Sequence, residues 1–319
     1  MNLLHTLMSG IIAGLVALSL SGCVMVTHHC CEEPIEPTAT GANTGYFPPP
    51  SCVFNSTSCY PSSGRLAWPR EIWVYRPTGS RRMTPSSGIL LLHEITGATP
   101  ACFNLASQMA DATGCTIYVP ILFGVPGQDN FFSGLSVELF NDDWAGTFLS
   151  EHHTPTIVDK LRALKDELSI KEKIKHWGVV GMCMTGSFSL AFASDPDVKA
   201  IVIAQPATPA LYLTPEGSRS LGLSPADLQG VAQSKAHIFF IRFEKDIVSA
   251  RRRLKTVHDL MGKDRLNHFQ PDVISEYGPY IMCDAHNTLT YPRNLLDPKN
   301  PVNQHVKKLM ELLRDWMSE

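Results

Sequence analysis

The sequence predicts a doubly wound α/β domain, and three observations carry that prediction. Six apolar runs of strand length recur along the chain, most of them continuous rather than alternating, as strands covered on both faces of a parallel sheet must be. Helical stretches fall between them, and this strand–helix alternation builds a mostly parallel sheet with helices on both faces. The 319 residues are 44% hydrophobic and 18% charged, which suits one large α/β domain and is marginal for two.

The strands in order are EIWVY (71–75), GILLLHE (88–94), CTIYV (115–119), HWGVVG (176–181), KAIVIA (199–204) and HIFFIRF (237–243). Helices are expected over about 100–112, 155–169, 186–194 and 249–262, with 301–318 closing the chain. No internal repeat is visible. The formal net charge is −3 and no cluster of Lys and Arg stands out, so nucleic acid is not an expected partner. The single run, Arg251-Arg252-Arg253, is expected on a solvated helix face.

The N-terminal 65 residues stand apart from this alternation. Residues 1–22 form an uncharged apolar run ending in small residues, the pattern of a secretory signal. Leu20-Ser21-Gly22-Cys23 matches the bacterial lipobox, which implies lipidation of Cys23 and removal of everything before it. The start has His5 but no Lys or Arg, a departure from the usual positive n-region. Residues 23–65 are rich in Pro, Ser, Thr, Gly and Asn without apolar periodicity and read as a tether. The expected location is a bacterial cell membrane, with the lipid in the outer membrane and the domain on its periplasmic side. Cys30, Cys31, Cys52 and Cys59 lie in the tether, and export favours at least one disulfide among them. The ligand types in HHCC (28–31) are contiguous rather than spaced for tetrahedral closure, so no metal is expected there. The folded domain then occupies 66–319.

The chemistry centres on GVVGMCMTGSFSLAFASDP (178–196). An apolar strand gives way to an apolar helix through Gly181-Met182-Cys183-Met184-Thr185-Gly186, the outline of a nucleophile elbow with sulfur in the nucleophile's place. A tight strand-to-helix corner presents its side chain over the sheet edge, and small neighbours let the backbones approach. The competing reading is a buried packing cysteine. A cysteine nucleophile needs a base and a group that orients it. Asp246 follows HIFFIRF at the carboxyl end of a strand, where open α/β sheets gather their ligands. Glu244 competes with it, and Asp246 is also a possible helix cap, although Ser249 is better placed for that. His286 lies in a loop before the last helix. The order Cys183, Asp246, His286 is that of an α/β-hydrolase triad. His93-Glu94 fails as a metalloprotease motif because Gly97 stands where the second histidine is required. The loop that follows is instead where an α/β-hydrolase takes an oxyanion donor.

HEITG (93–97), PILFG (120–124), GMCMTG (181–186), KDIV (245–248) and DAHNT (284–288), in this order, resemble the dienelactone hydrolase family of the α/β-hydrolase superfamily. The resemblance runs from about Glu71 to Tyr291. It implies Cys183 as nucleophile, His286 as base, Asp246 as its orienter, and Glu94 as the carboxylate that contacts the cysteine in the resting enzyme. It further implies an oxyanion hole from the backbone N–H groups of Ile95 and Met184, a small ester or lactone as substrate, and no cofactor. Met182, Met184 and Phe188 are candidates to line a pocket, with Phe188 better read as core. Two positions depart from the family, Thr185 for glycine and Ile121 for aspartate. A β-branched residue at 185 is expected to narrow the approach or shift the helix. No residue matches the family's substrate-binding arginines, with Arg293 the one candidate. Two rival readings follow. One is an inactive envelope lipoprotein that uses the same fold for binding. The other is a thiol-redox protein that needs Cys102, Cys115 or Cys283 as resolving partner.

Overall fold

The computed structural model describes residues 51–54, 69, 71–78, 86–144, 147, 152–210, 214–243, 246, 248–261, 274–277, 288–290, 299 and 301–319. The lipobox, most of the tether with Cys30, Cys31 and Cys59, and also Cys283, His286 and Arg293, lie outside them.

Eight strands form one sheet: β1 (Cys52–Phe54), β2 (Ile72–Tyr75), β3 (Ser87–Leu92), β4 (Thr116–Pro120), β5 (His176–Met182), β6 (Val198–Ala204), β7 (His237–Phe243) and β8 (Ile274–Tyr277). Their spatial order is β1-β2-β4-β3-β5-β6-β7-β8. Strands β1 and β2 pair antiparallel at one edge, and the pairings from β4 through β8 are all parallel. The helices are α1 (Pro100–Thr113), α2 (Phe131–Phe140), α3 (Thr156–Glu172), α4 (Gly186–Ala191), α5 (Pro225–Gln233), α6 (Arg251–Met261) and α7 (Pro301–Ser318). All six strands read from the sequence are found, with ends moved by one or two residues. Sequence reading missed β1, β8, α2 and α5.

The continuous apolar runs are explained by burial on both sides. In β3, Leu90 and Leu92 join one core with α3 residues Leu161, Leu164 and Leu168, while Ile89 and Leu91 join the other. That second core holds Phe103, Ala106 and Met109 of α1 and Leu309, Leu313 and Met317 of α7. Helix ends obey local chemistry. Thr99 caps α1 by accepting from Cys102 N–H, with Pro100 at the first helical position, and Gly114 closes it in the left-handed conformation. Ser224 caps α5 by accepting from Asp227 N–H. Around the carboxyl end of α4, Arg162 bonds Asp227 (2.6 Å) and the Ala191 carbonyl (2.5 Å), and buried Lys165 bonds Asp197 (2.7 Å). This charge network ties α3 and α5 to the elements that carry the elbow.

One expectation about charge is corrected. Arg251 and Arg252 are exposed, but Arg253 is fully buried. Its guanidinium donates to the carbonyls of Ser220 (3.0 Å), Pro206 (2.6 Å) and Pro209 (2.5 Å). A planar fork of five donors can satisfy several carbonyls at once, so Arg253 fastens the loop that leaves β6 rather than facing water.

Candidate active site

Strand β5 enters a tight turn at Cys183 and leaves as α4. Cys183 has φ +53°, a left-handed conformation that is uncommon outside glycine and concentrates at functional sites. Two glycines make the corner possible. A Cβ on Gly181 would lie 2.2 Å from the Thr185 carbonyl oxygen, and one on Gly186 would lie 2.8 Å from Pro206 Cα. The corner is therefore pressed against both its own exit and the loop after β6. That loop is also hydrogen-bonded to it, Ala207 N–H donating to the Cys183 carbonyl at 2.8 Å. Cys183 is 6% exposed and shares its core with Phe123, Trp144, Met184 and Phe188. Phe188 is core, as read. Met182 is buried in the opposite core with α1 and α7, so it does not line a pocket beside Cys183.

Thr185 does not obstruct the approach. It is fully buried, and its hydroxyl accepts from Met182 N–H at 3.1 Å. The same oxygen lies within donating distance of the Met182, Leu92 and His93 carbonyls, at 3.0, 3.1 and 3.2 Å. Threonine thus pins the elbow to the carboxyl end of β3, where the next functional loop begins.

That loop turns sharply, with Gly97 N–H donating to the Glu94 carbonyl at 2.9 Å and Gly97 at φ +88°. His93 holds it from below. Its Nε2 accepts from Leu122 N–H at 3.0 Å, which leaves Nδ1 to carry the proton and donate to the Glu94 carbonyl at 2.9 Å. Burial pushes the His93 pKa down to about 4, against the opposing pull of that carbonyl, so the ring is a neutral strut. From above, α2 crosses the loop at Gly134, where a Cβ would sit 2.2 Å from the Ile95 carbonyl oxygen. The N–H groups of Ile95 and Met184 are committed to no loop or turn hydrogen bond among the described residues.

Glu94 is buried, and its Oε1 accepts from Gln205 Nε2 (2.8 Å) and Thr290 Oγ1 (3.0 Å). No hydrogen bond joins it to Cys183 among the described residues. Asp246 is buried after β7 and accepts the N–H groups of Val248 (2.9 Å) and Ser249 (2.8 Å) on Oδ1. The turn-capping job is therefore done by Asp246, while the buried Ser249 hydroxyl has no partner among the described residues. Arg242, buried in β7, donates to the carbonyls of Asp246 (2.9 Å) and Ser249 (3.0 Å) and so fixes the backbone on either side of this turn. His286, the base expected from the sequence, lies outside the described residues.

Sequence reasoning missed two groups here. Gln205 carries no motif, and its role shows only when the ends of β3 and β6 meet. Glu138 of α2 is buried beneath that helix, and burial raises its pKa to about 7 against a lowering hydrogen bond from Thr147. Its Oε1 has no partner among the described residues. Cys102 and Cys115 are free and buried in the core on the sheet face opposite Cys183. Burial raises both pKa values, that of Cys115 to about 11, which disfavours either as a resolving thiol.

The family model of the dienelactone hydrolases matches residues 72–269, more than half of the chain. No curated protein matches the chain by sequence. Among solved structures, a protein of Klebsiella pneumoniae subsp. pneumoniae MGH 78578 assigned as a dienelactone hydrolase is similar, with a TM-score of 0.50 and 14% identity over 78% of this chain and 92% of that one. A variant of the esterase rPPE is similar with a TM-score of 0.51 and 12% identity, over 77% of this chain and 79% of that one. At such identities these two establish the fold. The family match, which spans the Cys183 corner and the Asp246 loop, shows that the chain belongs to the dienelactone hydrolase family, as a carboxylic ester hydrolase of α/β-hydrolase fold.

Proposed function

We propose that the protein hydrolyses a small ester or lactone through a Cys183–His286–Asp246 triad. The observation that carries this reading is Cys183 at φ +53° on the strand-to-helix corner, the strained position from which a nucleophile is presented. A free thiol with a pKa of about 8.5 is only a few per cent thiolate near neutrality, so the proton must be taken from it. His286, oriented by Asp246, accepts that proton. Glu94 serves as a second carboxylate that assists ionisation of the thiol, the proton itself passing to His286. The sulfur attacks the carbonyl carbon, and the C=O electron pair moves onto oxygen. The N–H groups of Ile95 and Met184 stabilise that oxyanion, each such donor typically contributing about 3 kcal/mol to lowering the barrier. Collapse expels the alcohol, protonated by His286, and leaves a thioester on Cys183. Water, deprotonated by His286, then releases the acid and restores the thiol.

The location belongs to the same proposal. The lipobox-like Leu20–Cys23 supports an exported chain, lipidated on Cys23 and held at the periplasmic side of the outer membrane, where 23–65 serve as tether. The enzymatic test is hydrolysis of short p-nitrophenyl esters and of lactones by the parent and by Cys183→Ala, with iodoacetamide labelling at pH 7. Turnover lost in Cys183→Ala, and labelling of Cys183 faster than a free thiol, support the reading. Turnover retained, with sluggish labelling, leaves Cys183 as a packing residue.

A further inference from the structure

We infer that Gln205 is a positioning residue that fixes the histidine loop against the cysteine elbow, an inference that rests on the triad proposed above. Gln205 follows the last residue of β6 and is fully buried. Its Nε2 donates to Glu94 Oε1 at 2.8 Å, and its Oε1 accepts from Thr288 N–H at 3.3 Å and from the Thr288 hydroxyl. The amide orientation follows from chemistry. A backbone N–H only donates, so the amide oxygen must face Thr288, which leaves the NH₂ to donate to Glu94.

Glu94 in turn accepts from Thr290 Oγ1 at 3.0 Å. The segment just beyond His286 is thus held at two points, Thr288 by Gln205 and Thr290 by Glu94. The same stretch of backbone after β6 holds the elbow, since Ala207 N–H donates to the Cys183 carbonyl at 2.8 Å. One strand end therefore holds Cys183 through its main chain and Thr288, two residues after His286 in sequence, through one side chain.

The backbone supports the assignment. Gln205 has φ +35° and is anchored by its N–H on the Ile241 carbonyl at 2.7 Å. Cys183, Lys173 and Gln205 are the non-glycine residues of positive φ among those described. A long amide at a position that glycine would occupy more easily is explained by what the side chain holds.

The test compares Gln205→Met, which keeps the volume and removes both hydrogen-bonding ends, with Thr288→Val, which removes one hydroxyl. Each is made alone and combined with His286→Ala, in the full chain, on a p-nitrophenyl ester. Both single variants are expected to lower kcat by about tenfold to a hundredfold with KM changed less than threefold, and to slow iodoacetamide labelling of Cys183 at pH 7. Because the clamp acts through His286, each double variant is expected to be no slower than His286→Ala alone. Parent kcat in a folded Gln205→Met or Thr288→Val variant overturns the inference, as do losses that multiply with His286→Ala. If Gln205→Met does not fold, Thr288→Val decides alone. Cys183→Ala assayed beside them separates the two levels, because its full activity refutes the triad, whereas an inactive Cys183→Ala with parent-like clamp variants refutes the clamp only.

Discussion

Cys183 and Thr185 carry the corner in different ways, Cys183 as the proposed nucleophile and Thr185 through hydrogen bonds. Cys183→Ser keeps the shape but replaces a thiol with a far less acidic hydroxyl. It is expected to fold with the parent's melting temperature and lose at least about a thousandfold in kcat. Thr185→Val keeps the β-branch but leaves Met182 N–H, buried in the corner, without the oxygen it donates to. That loss is expected to lower stability by about 1–3 kcal/mol, read as a shift of the urea midpoint at unchanged slope. The motif around Cys183 was legible because a nucleophile elbow needs glycines at fixed spacing. Thr185 was misjudged for a related reason, since spacing reveals a β-branch but not the carbonyls at the end of a strand some ninety residues earlier that receive its hydroxyl. Arg253 shows the same limit. Its neighbours Arg251 and Arg252 made a solvated face the natural reading, and only the folded β6 loop supplies the carbonyls that take it inside.

Helix α2 was absent from the sequence reading because its pattern is inverted. Phe132 and Phe140 are exposed, whereas Gly134 and Glu138 are buried, so apolar periodicity does not mark its inner face. Gly134 faces the Ile95 carbonyl so closely that Gly134→Ala must lift the helix from the loop after β3, the proposed source of one oxyanion donor. The expected result is a fall in kcat of about tenfold or more, with the melting temperature lowered, measured on the same ester. Two buried groups at this end of the sheet also titrate with opposite signs. His93 has a folded pKa near 4, below its unfolded value, so its contribution to stability is complete above about pH 6.5 and is lost as pH falls toward 4. Glu138 has a folded pKa near 7, above its unfolded value, so its contribution is present below about pH 4.5 and is lost as pH rises through 7. Each spans a shift worth roughly 3 kcal/mol, and between pH 4.5 and 6.5 they oppose one another. Urea unfolding across that window should therefore fall with rising pH in His93→Gln relative to the parent, and rise with pH in Glu138→Gln. Identical pH profiles in the three proteins would contradict this assignment.

At the scale of the whole molecule, two-sided burial made the parallel sheet readable from its uninterrupted apolar strands. β1 and β8, with three and four residues, offered too short a pattern to see. The proposed N-terminal signal makes its own prediction. Cys23→Ala is expected to leave the precursor uncleaved or the protein released from the membrane fraction, and intact mass of the mature parent is expected to show an acylated Cys23. An unmodified Cys23 in the mature chain would contradict the anchor. Non-reducing peptide mapping of envelope protein should likewise show at least one disulfide among Cys30, Cys31, Cys52 and Cys59.

The central claim is that the sulfur of Cys183 becomes covalently acylated during turnover. The most direct measurement is rapid acid quench of the enzyme with excess p-nitrophenyl ester, followed by intact mass and peptide mapping. The account predicts a mass increase of one acyl group, confined to the peptide containing Cys183, formed within the burst of p-nitrophenol and lost on further incubation. Acylation at another residue, or full-rate hydrolysis by Cys183→Ala with no adduct on any peptide, would contradict it.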